Sequence, residues 1–126
     1  MLSVNGLNVH YGKIHAVRGT SFRVGRSEIV SIVGANGAGK STIMWTLAGV
    51  LKPSSGEILF DGVAINKVEP YRLIEIGLAH VPEARRLCVE MSVEENLEGG
   101  SLRGEAKKRR EENKEMVLGL FPRLKE

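Results

Sequence analysis

A chain of 126 residues, 42% hydrophobic and 26% charged, carries too much apolar side chain for a disordered tail and enough to bury a core. Its net charge of +3 arises from 18 basic and 15 acidic residues that are mixed along the chain, with no aromatics interleaved among the basic ones, which argues against a nucleic-acid binder. No apolar stretch approaches the roughly 20 residues of a membrane span, the N-terminus lacks a signal-peptide pattern, and the single cysteine, Cys88, allows no internal disulfide and points to a reducing, cytoplasmic setting.

The first third reads as strands. Leu7, Val9 and Tyr11 alternate with Asn8 and His10, as on a half-buried strand. Phe22 and Val24 form a second short run, broken by a turn at Gly25-Arg26-Ser27. Glu28-Ile29-Val30-Ser31-Ile32-Val33 is a compact β-branched run ending at Gly34, the pattern of a buried strand that feeds a glycine turn. From Ser41 the period becomes helical, with Ile43, Met44, Leu47 and Leu51 recurring, and Lys52-Pro53-Ser54-Ser55-Gly56 is expected to stop that helix. Ile58 and Phe60 mark a strand closed by Asp61-Gly62, a hairpin signal.

Pro70 suits a first helical position, with Tyr71, Ile74 and Leu78 expected to face the core before Ala79-His80-Val81 returns as a strand. Ser92-Val93-Glu94-Glu95 is a capping-box pattern, and Gly99-Gly100 should end that helix. A charged helix is expected from Glu105 to Phe121, ended or kinked by Pro122.

The motif with chemical content is Gly34-Ala35-Asn36-Gly37-Ala38-Gly39-Lys40-Ser41, which satisfies G-x-x-x-x-G-K-[ST] between an expected strand and an expected helix. A polyphosphate needs several N–H donors converging on it, and backbone amides curled around a glycine turn supply them. Gly37 and Gly39 allow the unusual dihedrals and the close approach. The helix N-terminus adds its dipole and free N–H groups. Lys40 brings a mobile charge to the β- and γ-phosphates, and the Ser41 hydroxyl can ligate Mg²⁺.

The sequence resembles the ATP-binding subunits of ABC transporters. The resemblance rests on Gly34-Ala35-Asn36-Gly37-Ala38-Gly39-Lys40-Ser41-Thr42, on Tyr11-Gly12 upstream, on Pro53-Ser54-Ser55-Gly56-Glu57-Ile58 with Asp61-Gly62, and on Gly77-Leu78-Ala79-His80-Val81-Pro82-Glu83. Val81-Pro82-Glu83 with Arg85-Arg86, Ser92-Val93-Glu94-Glu95-Asn96-Leu97, and Phe121-Pro122-Arg123-Leu124-Lys125-Glu126 look like the branched-chain amino-acid importer type. Ala84, Cys88 and Val89 depart from that type, which usually has glycine, phenylalanine and proline there, and Glu83 stands where most of the family has glutamine.

The resemblance implies an α/β P-loop ATPase core, partial, with an antiparallel β region before the phosphate loop, the whole of residues 1–126 being the front part of one nucleotide-binding domain. It implies ATP and Mg²⁺ held by Gly34, Ala35, Asn36, Gly37, Ala38, Gly39, Lys40, Ser41 and Thr42, adenine stacked on Tyr11, and Glu83 as the residue that reaches Mg²⁺ or the attacking water and communicates with the permease. Its partners would be transmembrane permease subunits and a second ATP-binding subunit, on the cytoplasmic face of the cell membrane and reaching the membrane through partners only. The family's signature motif, acidic Walker B strand, catalytic glutamate and switch histidine belong downstream of Glu126. The alternatives are a nucleotide-binding fragment without catalysis, or an ABC ATPase for another substrate. The same absence leads to the expectation that apolar surface at residues 28–33 and on the helix at 43–51 is left uncovered.

The remaining chemistry-bearing residues read as ordinary. His10, His15 and His80 lack metal-ligand spacing, Cys88 has no histidine neighbour in sequence to activate it, and Lys107-Lys108-Arg109-Arg110, flanked by Glu111, Glu112 and Glu115, reads as a solvated helix face.

Overall fold

The computed structural model describes residues 1–84, 86–102 and 104–125. Arg85 and Glu126, which contribute to the importer-type resemblance, lie outside the described residues. The chain forms two compact units, Met1–His80 and Val81–Glu126.

The first unit is built on an antiparallel sheet. Strands β1 (Leu2–Tyr11) and β2 (Ile14–Val24) form a hairpin in register from Leu2↔Val24 to Tyr11↔Ile14. Its turn places Gly12 at φ 56 in the first central position, as a type II′ turn requires. β2 begins well before the expected Phe22-Val24 run, because Gly19 at φ 60 and the register shifts opposite it break the alternation that would have marked the strand. β3 (Ser55–Phe60) pairs antiparallel to the other side of β1, and β4 (Val63–Ala64) returns along β3, giving the order β2-β1-β3-β4. Asp61 and Gly62 join β3 to β4 with φ of 46 and 81, the two positive values of a type I′ turn.

Helix α1 (Lys40–Leu47) contributes Ile43 and Leu47 to a core with Val4, Leu7, Val9, Val17, Ile58, Phe60, Ile65 and Leu73. Each such side chain taken from water contributes about 1.5–3 kcal/mol. The helix stops at Gly49, earlier than the Lys52–Gly56 segment would suggest. Gly49, at φ 72, donates to Thr46 O at 3.0 Å and Val50 to Trp45 O at 3.0 Å, a Schellman closure. An added Cβ at Gly49 would lie 3.2 Å from Leu73 Cδ1, so Gly49 also lets the segment around Leu73 pack closely.

Two expected strands do not form. Residues 28–33 run without strand pairing, with Ile29 96% and Val33 88% exposed. A buried parallel strand is held by neighbours on both edges, and no strand among the described residues lies beside this run. The expectation that this run would be uncovered is met. On α1 it is met only in part, since Met44 and Trp45 are exposed while Ile43 and Leu47 are buried. Residues 79–81 are likewise not a strand.

Helix α2 (Pro70–Leu73) starts at Pro70 as expected, but it buries Leu73 and exposes Tyr71 and Ile74. It is a single turn, too short for the helical period to set its inward face. Leu78, half-buried, does pack on the core.

The second unit is helical. In α3 (Val93–Gly99) the capping box is complete: Glu95 N–H donates to Ser92 Oγ at 3.2 Å and Ser92 N–H to Glu95 Oε2 at 2.8 Å. These bonds hold the Glu95 carboxyl below its ordinary pKa. The long charged helix is divided at Arg109 into α4 (Gly104–Lys108) and α5 (Arg110–Leu120), and a 3₁₀ turn at Pro122–Lys125 follows. An ion pair joins Lys114 on α5 to Glu94 on α3, and Arg109 bonds Glu112 at 2.5 and 2.8 Å. The basic run at 107–110 is thus in part neutralised locally, in keeping with a solvated face.

Candidate nucleotide-binding site

The phosphate loop lies at the head of α1. Gly37 and Gly39 take φ of 83 and 88, which side chains rarely adopt, and Ala38 N–H donates to Ala35 O at 3.2 Å to close the loop. Gly39 is needed twice over: a Cβ there would sit 2.7 Å from Ala16 O on β2. Gly39 is the N-cap of α1, no side chain caps the helix, and no acidic residue lies in its first turn. The first N–H groups of α1, at Lys40, Ser41 and Thr42, therefore meet neither a capping side chain nor a carboxylate of their own turn, and the positive end of the helix dipole lies behind them.

Lys40 folds back over the loop. Its Nζ donates to Gly34 O and Ala35 O, both at 2.8 Å. The cation is thereby held over the loop and ready to exchange carbonyl oxygens for phosphate oxygens. Gly34, Ala35, Asn36, Gly37 and Ala38 are exposed and accessible to a ligand.

Tyr11 ends β1 beside this loop. Its phenolic oxygen is 3.4 Å from Thr42 Oγ1, while the residue remains 40% exposed. The structure thus brings Tyr11 and the stretch from Gly34 to Thr42 together in one unit. Glu83 is exposed and belongs to the second unit. Ala84 beside it has φ 64, a conformation in which glycine is unstrained, so the departure from glycine noted in the sequence falls on a backbone that favours glycine.

For Mg²⁺ the donor set is a single half-buried hydroxyl at Ser41. Among the described residues no group of three or more His, Cys, Asp or Glu side chains could form a protein cage. Mg²⁺ keeps most of its waters and leans on substrate phosphates, so one hydroxyl could serve as its protein ligand.

Sequence reasoning missed the polar network behind Tyr11. His10 and His15 are direct cross-strand partners, and their rings stack with centroids 4.0 Å apart. Asn8 Oδ1 accepts from Gly19 N–H and His15 Nε2, both at 2.9 Å, and Asn8 Nδ2 donates to Gly6 O and Ser55 Oγ. Ser54 Oγ donates to Asn8 O at 3.0 Å, so it accepts from His10 Nδ1 at 2.8 Å, which sets the His10 tautomer. Only the two-residue turn between the strands could have signalled the histidine pair.

Burial, then His10 and Arg18, lower the His15 pKa. A lowered histidine pKa means that the folded hairpin disfavours the proton. Its contribution is complete above the ordinary value of about 6.5 and is lost as pH falls through the depressed one. Amide protection factors at residues 8–19, corrected for the intrinsic exchange rate, should fall as pH drops below the ordinary histidine range. His15→Asn should flatten that response, and an unchanged pH profile in the variant would assign it elsewhere.

A glycine loop wrapped on a helix N-terminus, with a lysine over it and an aromatic beside it, defines a P-loop nucleotide-binding domain of partial α/β type. The ABC transporter family model matches residues 17–122, and the chain belongs to that family. It is 40% identical over its whole length to the high-affinity branched-chain amino acid transport ATP-binding protein BraG of Pseudomonas aeruginosa, covering 54% of that protein. It is 36% identical over 97 residues to the ribose import ATP-binding protein RbsA 2 of Rhizobium meliloti, covering 77% of this chain and 19% of that one. Among solved structures, the dimeric bacterial ABC transporter cassette MJ0796 superposes with a TM-score of 0.73 at 27% identity, over 89% of this chain and 55% of the cassette. The ABC transporter ATP-binding cassette MJ1267 gives 0.65 at 31% identity, over 77% and 38%. The chain thus spans about half the length of BraG and of the MJ0796 cassette.

Proposed function

We propose that this chain is the nucleotide-binding front part of an ABC transporter ATP-binding subunit that energises import of branched-chain amino acids. The observation that carries the nucleotide role is the loop from Gly34 to Thr42 at an uncapped helix N-terminus, with Lys40 poised over it. The amino-acid substrate rests on the likeness to BraG across the whole chain; ribose importers match a shorter stretch. ATP would lie with its phosphates on the loop and its base against Tyr11. Bound at Ser41, Mg²⁺ would offset the negative charge on the β- and γ-phosphates. Glu83 is proposed as the second contact to Mg²⁺ or the attacking water. Membrane permease subunits and a second ATP-binding subunit are the proposed partners; the dimeric MJ0796 cassette supports the latter. No helix among the described residues is long and apolar enough to cross a membrane; the proposed place is the cytoplasmic face of the cell membrane, reached through the permease.

Phosphoryl transfer needs Mg²⁺ held from both sides and a group that orients water. Ser41 supplies one ligand, and the acidic residue on a strand after the loop in the first unit, Glu57 of β3, is engaged with Asn5 of the neighbouring β1. This chain by itself is therefore expected to bind Mg-ATP with turnover well below about one per second. Calorimetry with Mg-ATP tests the binding, and phosphate release tests the chemistry. No heat of binding would defeat the nucleotide reading; sustained release near one per second that Lys40→Ala abolishes would defeat the reading of its chemistry.

A further inference from the structure

The contact between Tyr11 and Thr42 does more than close a gap between β1 and α1. Tyr11 is 40% exposed and Thr42 only 8%, so the phenol reaches inward with its oxygen while part of the ring stays open. Thr42 is the third residue of α1, on the turn whose N–H groups face the phosphate loop. Its carbonyl is already occupied, accepting from Thr46 Oγ1 at 2.7 Å, so the neighbouring hydroxyl of Thr46 is turned away from the loop. The Thr42 hydroxyl remains, 3.4 Å from the Tyr11 oxygen.

Each hydroxyl has one proton to give and lone pairs to accept with. A phosphate oxygen can only accept. Were Thr42 to donate to Tyr11, its proton would be spent on the phenol and an oxygen lone pair would face the anion. The reverse direction leaves the Thr42 proton free, and a phenolic O–H is intrinsically a stronger donor than an aliphatic one. Bonds arranged head to tail also polarise one another.

We propose that Tyr11 is a positioning residue for phosphate as well as a surface for the base: its hydroxyl donates to Thr42 Oγ1 and so commits the Thr42 proton to a phosphate oxygen in the loop. This rests on the nucleotide reading above. It predicts that ring and hydroxyl of Tyr11 act on different parts of the ligand.

The experiment compares Mg-ATP and Mg-tripolyphosphate by calorimetry, on variants whose fold is checked by circular dichroism. Tyr11→Phe should weaken both ligands by about three- to fivefold, the effect of one neutral hydrogen bond. Tyr11→Ala should weaken tripolyphosphate no further, but ATP by about tenfold more, since only ATP has a base to stack. In a Thr42→Val background Tyr11→Phe should cost nothing, whereas in Thr42→Ser, which keeps the hydroxyl, the loss should return. The serine background keeps the comparison available should the valine variant not fold. Tripolyphosphate binding unchanged by Tyr11→Phe, or an equal loss with and without the Thr42 hydroxyl, would overturn the proposal. If the unaltered chain binds neither ligand, the nucleotide reading itself falls.

Discussion

Lys40→Ala is expected to weaken Mg-ATP binding more than tenfold, about 1.4 kcal/mol or more. The charge is lost from the bound state and a bridge from the free loop. The variant lacks the only positive side chain within the phosphate loop, and it lacks the donors that bridge Gly34 O and Ala35 O at 2.8 Å. The loop then has to be ordered by the ligand alone. Nor would arginine serve, because a planar fork does not replace three rotatable donors on a flexible stem. Calorimetry on a folded variant decides the matter: equal affinities would mean that Lys40 serves only the loop's internal geometry.

Gly56→Ala is expected to lower the stability of the first unit by about 3 kcal/mol or more. Gly56 sits in β3 at the register shift between the pairs Asn8↔Ser55 and Asn5↔Glu57, at φ 98, and a Cβ there would lie 2.6 Å from Gly6 O, 2.7 Å from Leu7 Cα and 2.8 Å from Asn5 O. All three are backbone atoms, so no side chain can rotate away. β1 would have to move off β3, and Leu7 and Ile58, both fully buried, would lose their packing. Gly62→Ala is the control: its φ is 81 but nothing lies within 4 Å of the added carbon, so the cost should be near 1 kcal/mol. Urea unfolding of both variants compares them, and equal costs would show that dihedral strain alone, and not close approach, fixes Gly56.

The contrast between these two glycines bears on what the sequence could reveal. Local chemistry was legible. The loop around Lys40, the Asp61-Gly62 turn, Pro70 at a helix start and the Ser92 capping box each depend on residues a few positions apart, and each is found where expected. Requirements set at long range were not. Gly56 reads as a turn residue, yet its need comes from β1, about fifty residues earlier in the chain. His10 and His15 meet only because the hairpin register pairs them. The β-branched run at 28–33 has the composition of a strand without the pairing, since a strand exists only as part of a ladder. At the site, Tyr11 beside the loop followed from the family resemblance, whereas its bond to Thr42 depended on the angle at which β1 passes the head of α1.

The unpaired run at residues 28–33 also bears on how the protein behaves in a tube or a cell. Its β-branched residues, Ile29, Val30, Ile32 and Val33, surround one serine, with one charge at Glu28 and no proline, which is the composition of segments that stack into fibrillar sheets. Ile29 and Val33 stand almost fully in water. Two molecules that meet along this run can pair backbones without first unfolding, and each addition leaves a fresh edge for the next. Such growth does not close at a dimer. Shelf life should therefore fall steeply with concentration while the melting temperature hardly changes, because loss of material would begin from the folded chain.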